Sequence, residues 1–347
     1  MKRTKQVENA AIKIPKIVYG TSFLGNLYRE LTITEKTRIM QEWFKVSDTP
    51  VMIDTAGKYG AGLALEVIGK GLTQLGIEPK QVAISNKLGW YRTPLKSSEP
   101  TFEPGVWANL EHDAVQMISY EGILKCWQQG CELLGENYKP ELVSVHDPDE
   151  YLMAASDQND RQKRKNDILD AYQALFELKS KGEVKAVGIG AKDWQVIKEL
   201  YEQVAFDWVM LANKFTIFSH SKDVLEFMER LHRNDVKIIN SAVFNAGFLT
   251  GGDYFDYRIP DRANPVDLPL FEWRDKFFDI CDRFQIPPGD ACLKFALSVP
   301  EITAVALNPS KPQRISRNKE ILGKEFPKAF WETLKQEGVI EKHIPLP

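Results

Sequence analysis

Eight short apolar runs, most of them followed by a stretch of helical periodicity, constrain this chain more than any other feature of its sequence. The runs are Ile17–Tyr19, Val51–Ile53, Val82–Ile84, Leu142–Val145, Ala186–Ile189, Trp208–Leu211, Val236–Ile239 and Ile302–Leu307. They are continuous rather than alternating, as strands are when both faces are covered. Helical patterns follow from Thr34 and over Leu63–Leu75, Ile168–Leu178, Trp194–Tyr201, Val224–Leu231, Leu270–Phe284, Asp290–Leu297 and Gln313–Leu322. Neighbouring parallel strands need such crossovers. Eight units favour a closed α/β barrel, the (β/α)8 or TIM barrel, over an open doubly wound sheet. No G-x-G-x-x-G follows the first run, which weakens the dinucleotide-fold alternative. The 347 residues suit one barrel of ~250 residues with insertions. No Pro-Gly-rich linker divides them, so residues 1–347 read as one domain.

Two insertions stand where a barrel places its functional loops. Trp90–Val115, after the third run, is long, polar and aromatic; Asp253–Asp267 follows the seventh. Active-site loops are therefore expected near 90–117 and 250–268. A short hairpin is expected before the first strand. Met1–Ile14 is charged early and lacks a long apolar run, so neither a secretory signal nor a membrane span is read there, and a cytoplasmic location is expected. The net charge of −3 gives no reason to expect a nucleic-acid partner. The basic run Arg161, Lys163, Arg164 and Lys165 reads as a solvated helix start or loop. Cys126, Cys131, Cys281 and Cys292 form no C-x-x-C pair and read as buried reduced thiols.

Ionisable residues end the apolar runs. Asp54 closes the second, Lys87 follows the third and His146 follows the fourth. In a barrel all strand C-termini meet on one face. Tyr59 lies five residues past Asp54, between Gly57 and Gly60, in a loop free to bend over that face. The set suits proton transfer coupled to hydride transfer. A phenol has a reference pKa of ~10, and a neighbouring ammonium favours its deprotonated form. Lys87 can supply that ammonium and Asp54 can hold it. His146 can orient the reacting oxygen while Tyr59 gives or takes the proton.

At these residues the chain resembles the aldo-keto reductase superfamily. The matching stretches are Asp54–Gly60, Ser85–Lys87, Val145–Asp147 and the Gly-Phe-Leu at 247–249, in one order from about Ile17 to Asn318. The resemblance implies an NAD or NADP cofactor and assigns catalysis to Asp54, Tyr59, Lys87 and His146. It places cofactor contacts at Gly20, Thr21, Asp54, Asn213, Ser241, Phe244, Asn245, Ala246, Gly247 and Leu249. Pro309, Ser310, Arg314 and Asn318 are expected around the adenosine end, where a helix N-terminus is a ready anion site. Phe23, Trp90, Tyr59 and His146 are the expected substrate contacts, with Trp107 and Phe244 as further aromatic candidates.

A narrower similarity lies in Ser119–Leu124, Val145–Asp149 and Val243–Gly247. These look like the D-threo-aldose (L-fucose) 1-dehydrogenases and pyridoxal dehydrogenases. That branch implies oxidation of a cyclic sugar at its anomeric carbon to a lactone. Some positions depart from the common pattern. Gly190-Ala191 stands where the superfamily usually has Ser-Asn, Met210 replaces a common glutamine, and Ser241 replaces an aromatic residue, with Phe244 nearby. Ser310 replaces a basic residue, with Lys311 beside it. The alternatives are NADPH-dependent reduction of aldehydes or ketones on the same four residues, a cofactor-sensing module without turnover, and a metal-dependent hydrolase using His146, Asp147, Asp149 and Asp54. The last lacks a second histidine at a strand end. The expected partner is a small sugar or carbonyl compound, with no metal, nucleic acid or membrane.

Overall fold

A computed structural model describes residues 12–256 and 258–345. All eight apolar runs form strands. These are β1 (Ile17–Gly20), β2 (Val51–Ala56), β3 (Val82–Leu88), β6 (Leu142–His146), β7 (Ala186–Ala191), β8 (Trp208–Ala212), β9 (Lys237–Ser241) and β10 (Ile302–Leu307). They close into a barrel in the order β1-β10-β9-β8-β7-β6-β3-β2, and every neighbouring pair is parallel. The expected (β/α)8 barrel is the observed fold. The hairpin expected before β1 falls on residues outside those described, apart from Ile12–Lys16, which form no strand.

The helices are α1 (Ile33–Val46), α2 (Leu63–Gln74), α3 (Tyr120–Leu134), α4 (Pro148–Met153), α5 (Gln158–Ser180), α6 (Trp194–Tyr201), α7 (Lys222–Arg233), α8 (Leu268–Phe284), α9 (Pro288–Phe295), α10 (Pro312–Leu322) and α11 (Lys328–Gln336). Local chemistry sets several starts. Thr32 and Glu35 form a reciprocal capping box on α1. Ser119 accepts from the Gly122 N–H at 3.0 Å, and Asp157 from the Asp160 N–H at 2.8 Å. The basic run lies inside α5, with Arg161 and Lys165 both paired to Glu199 on α6.

Inside the barrel, Val18, Met52, Ala83, Leu142, Ala186, Trp208, Met210, Ile239 and Ala304 pack as one cluster. Ile12 and Ile14, just before β1, pack on the same cluster. Trp208 fills so much of this space that its neighbour must be glycine. A Cβ on Gly188, its register partner on β7, would sit 2.2 Å from the indole. The region after β3 holds a structure the hydrophobic periodicity does not announce. It is an antiparallel hairpin of β4 (Trp90–Pro94) and β5 (His112–Gln116). Helices α4 and α11 were likewise not anticipated. The four cysteines are free thiols; Cys131 is partly exposed and the others are buried. Among the described residues, no helix is long and apolar enough to cross a membrane.

Candidate active site

The strand ends bring three of the four sequence candidates to one mouth, and the loop after β2 delivers the fourth. Asp54 pairs with Ser85 in the β2–β3 register, and Ala56 with Lys87. Both ionisable side chains are buried and form a close ion pair. The Lys87 ammonium also donates to the Tyr59 hydroxyl at 3.2 Å and lies 5.1 Å from the centre of its ring. The loop can carry Tyr59 there because Gly60 has φ +63° and approaches the Gly25 backbone too closely for any Cβ. His146, at the end of β6, meets the tyrosine edge-on with ring centres 5.7 Å apart.

Burial dominates the protonation states. It pushes the Tyr59 phenol up to about 12; Lys87 pulls the other way, while Asp54 and Asp147 add to the rise. Expecting the ammonium to lower the tyrosine therefore gave the right sign for one contribution and the wrong net direction. Burial also works against the Lys87 charge, but Asp54 and Tyr59 outweigh it and hold the ammonium above the ordinary lysine value. Burial drives His146 down to about 3, with Lys58, Lys87 and Lys192 opposing its charge and Asp147 favouring it. The imidazole is thus neutral, and its Nδ1 has no hydrogen-bond partner among the described residues. The three carboxylates considered as metal ligands have other partners. Asp54 pairs with Lys87 and Asp147 with Lys58. Asp149 accepts from the Lys192 and Asp193 N–H groups at 3.0 and 2.9 Å.

The β4–β5 hairpin walls the mouth. Trp107 lies 6.0 Å from the Tyr59 ring and 6.3 Å from Phe102, which in turn lies 5.6 Å from Trp90. Of the expected substrate contacts, Trp90 and Tyr59 are partly exposed and His146 is buried. Phe23 is partly exposed too, packed on the same apolar cluster as Tyr59 and Phe244. One charged residue of this region was missed from the sequence. Lys58, within the tyrosine loop, is buried and pairs with Glu103 at 2.7 Å and with Asp147 and Glu150 at 3.3 Å each. Its burial depends on a hairpin and a short helix remote in sequence, so no local signal marks it.

A model described as the aldo/keto reductase family matches residues 16–337. The chain belongs to the aldo/keto reductase family. Among curated proteins, a pyridoxal 4-dehydrogenase of Microbacterium luteolum is 25% identical over 339 residues, covering 92% of this chain and 93% of the relative. A D-threo-aldose 1-dehydrogenase of a Pseudomonas species is 24% identical over 344 residues, covering 95% and 96%. Among solved structures, a glycerol dehydrogenase of Gluconobacter oxydans superposes with a TM-score of 0.68 at 16% identity, covering 98% of this chain and 96% of that one. An aldo-keto reductase of Bacillus halodurans in its holo form gives 0.64 at 17%, covering 95% and 93%. These structural likenesses bear on the fold.

Members of the aldo/keto reductase family generally use nicotinamide cofactors, and the ends of β8–β10 carry groups suited to one. The turn after β9 is left-handed at Ala242, Asn245, Ala246 and Gly247, a backbone form that gathers N–H groups toward an anion. Among the described residues, the side-chain oxygens of Asn213 and Asn245 are buried without partners, and the space a Gly247 Cβ would take is open. Thr21, beside Gly20, donates its hydroxyl to the Asp54 carbonyl at 3.0 Å and so ties the β1 and β2 ends together. Ser241 donates to the Leu211 carbonyl at 3.2 Å, and Phe244 and Leu249 pack into the core behind the turn. At the start of α10, Pro309 is buried, Ser310 and Asn318 are partly exposed, and Arg314 is exposed. This helix has no side-chain cap among the described residues. Met210 packs in the barrel interior rather than at the mouth.

Proposed function

We propose that this aldo/keto reductase oxidises an aldose of the L-fucose type at its anomeric carbon, giving the lactone, with NAD or NADP. The reading rests above all on the Asp54–Lys87–Tyr59 relay beside a neutral His146. Both curated relatives are named as dehydrogenases, which supports the oxidative direction, and the one named as a D-threo-aldose 1-dehydrogenase supports the sugar class. A bound nicotinamide would supply the acceptor for the hydride that leaves the anomeric C–H. His146, uncharged, donates a hydrogen bond to the anomeric oxygen and fixes its distance from Tyr59. Tyr59 takes the hydroxyl proton as the C–H bond breaks, so the substrate loses one hydride and one proton. Lys87 stabilises the phenolate that accepts this proton, and Asp54 keeps Lys87 charged and in place. Trp107 and Trp90 cover the apolar face of the sugar ring. Asn213, Asn245 and the left-handed turn at 245–247 hold the cofactor, and Arg314 lies at its adenosine end.

Reduction of an aldehyde or ketone is the second reading, and one observation favours it. A phenol raised to about 12 holds its proton at neutral pH, the form that donates to a nascent alkoxide. The deciding experiment assays L-fucose, D-arabinose, L-galactose and pyridoxal with each oxidised cofactor, alongside simple aldehydes with each reduced one. Cofactor reduction by a sugar, with lactone formed in the presence of chelator, supports the dehydrogenase. Turnover of aldehydes alone, with every sugar inert, overturns it.

A further inference from the structure

Lys58 is a lysine that its surroundings bury almost completely, with 5% of its side chain exposed. It stands among three carboxylates from two other segments. Glu103 belongs to the loop of the β4–β5 hairpin; Asp147 and Glu150 sit at the start of α4. Its ammonium also lies 5.3 Å from the centre of the Trp90 indole. Each partner leads to the site. Glu103 accepts from the Trp107 indole N–H at 2.7 Å, and Trp107 faces Tyr59. The Asp147 oxygen that Lys58 binds is the one 3.4 Å from His146 Nε2. Asp147 stands in a left-handed backbone, φ 44° and ψ 56°, a conformation that Asp tolerates better than most non-glycine residues.

We propose that Lys58 is a positioning residue for the reaction, neutralising Asp147 so that His146 stays an uncharged hydrogen-bond donor, and anchoring Glu103 so that Trp107 stays over Tyr59. The proposal rests on the reading of His146 as the group that orients the reacting oxygen. The charges facing His146 come from four segments. They are Asp147 on its own loop, Lys58 beside Tyr59 after β2, Lys87 on β3 with its partner Asp54, and Lys192 after β7. Among the described residues, Asp147 is the carboxylate that favours the ring's charge. With Lys58 present that anion is shared with a cation at similar distance, and its pull on an imidazole proton is offset. Without Lys58, Asp147 keeps only the smaller compensation of Lys192 and Lys87, and its carboxylate pulls more strongly toward the imidazolium. Lys192 does not replace it, being paired to Glu150 at 2.6 Å.

The test reads the ring directly. Proton–nitrogen correlation spectra of the histidine side chains, with His146 assigned through His146→Gln, are followed against pH in the protein without substrate. In the wild type, His146 should remain neutral through ~pH 5. A wild-type ring that titrates near the ordinary ~6.5 would overturn the proposal without any variant. In Lys58→Met the titration should move up by about one pH unit or more, and turnover should acquire an acidic limb. Lys58→Arg should keep the wild-type behaviour. Adding Asp147→Asn to Lys58→Met should return the ring to its neutral state, which a merely structural role for Lys58 does not predict. An unmoved titration in Lys58→Met, or no return in the double variant, sinks the idea. Because the spectra need no substrate, inert sugars would count against the proposed function and leave this result standing.

Discussion

Tyr59 keeps its proton far above neutrality because a buried phenolate is costly and two nearby carboxylates oppose it. Catalytic oxidation needs the deprotonated form, so its rate should climb with pH, about tenfold per unit at most, over the range below about 12. Reduction uses the protonated form and should be flat over the same range. Tyr59→Phe removes the hydroxyl and keeps the ring; turnover should fall ~10²–10⁴-fold while cofactor affinity holds. Near-normal turnover in that variant would remove Tyr59 from the mechanism. Lys87→Met deletes both the charge and the hydrogen bond that favour the phenolate, so the oxidative profile should move further to alkaline pH. A pH–rate series on the residual activity checks this, and an unmoved profile would break the proposed coupling. The Lys58 measurement belongs to this scale too, since it concerns the charge state of one ring.

At the scale of elements, the β4–β5 hairpin and helix α10 flank the reacting centre and act on different molecules. The hairpin carries Trp107, tied to Glu103 and tilted against the rings of Phe102 and Tyr59. Trp107→Ala removes this wall. It should raise KM for the sugar about tenfold, the scale of an aromatic contact, with little change in cofactor affinity. Equal KM values in wild type and variant would show that the substrate lies elsewhere. Helix α10 presents an uncapped N-terminus with an exposed Arg314 in its first turn. If its guanidinium meets a 2′-phosphate, Arg314→Ala should weaken NADP by ~1.5–3 kcal/mol and NAD by much less. Parallel fluorescence titrations with the two cofactors separate the cases. Equal losses would mean that Arg314 touches only the part the cofactors share.

The whole molecule is a barrel whose interior and mouth are built on the same strands. Alternate residues on β7 show this, with Gly188 yielding its space to Trp208 and Gly190 aligned with His146 in the register of β6. Gly188→Ala forces a Cβ into the indole and should destabilise the fold by ~1–3 kcal/mol. A lowered denaturation midpoint is the expected reading, and an unchanged midpoint would mean that the barrel interior yields more easily than its packing implies. Gly188 meets Trp208 in the barrel interior, so this variant tests the scaffold.

The strands, their order as parallel units and the three ionisable residues at their ends could be read from the sequence. Continuous apolar runs record burial on two faces, and a polar residue closing such a run marks where the strand leaves the core. Asp54, Lys87 and His146 were legible for that reason, and Tyr59 through its short glycine-flanked loop. The β4–β5 hairpin was hidden because its pairing and aromatic packing leave no clear alternation in residues 90–116. The net rise of the tyrosine, the neutrality of His146 and the burial of Lys58 were decided by tertiary structure alone. Each is a balance of desolvation against charges supplied by segments far apart in the chain, such as Glu103 and Glu150 around Lys58. Such a balance exists only once the barrel has brought those segments within a few ångströms of one another.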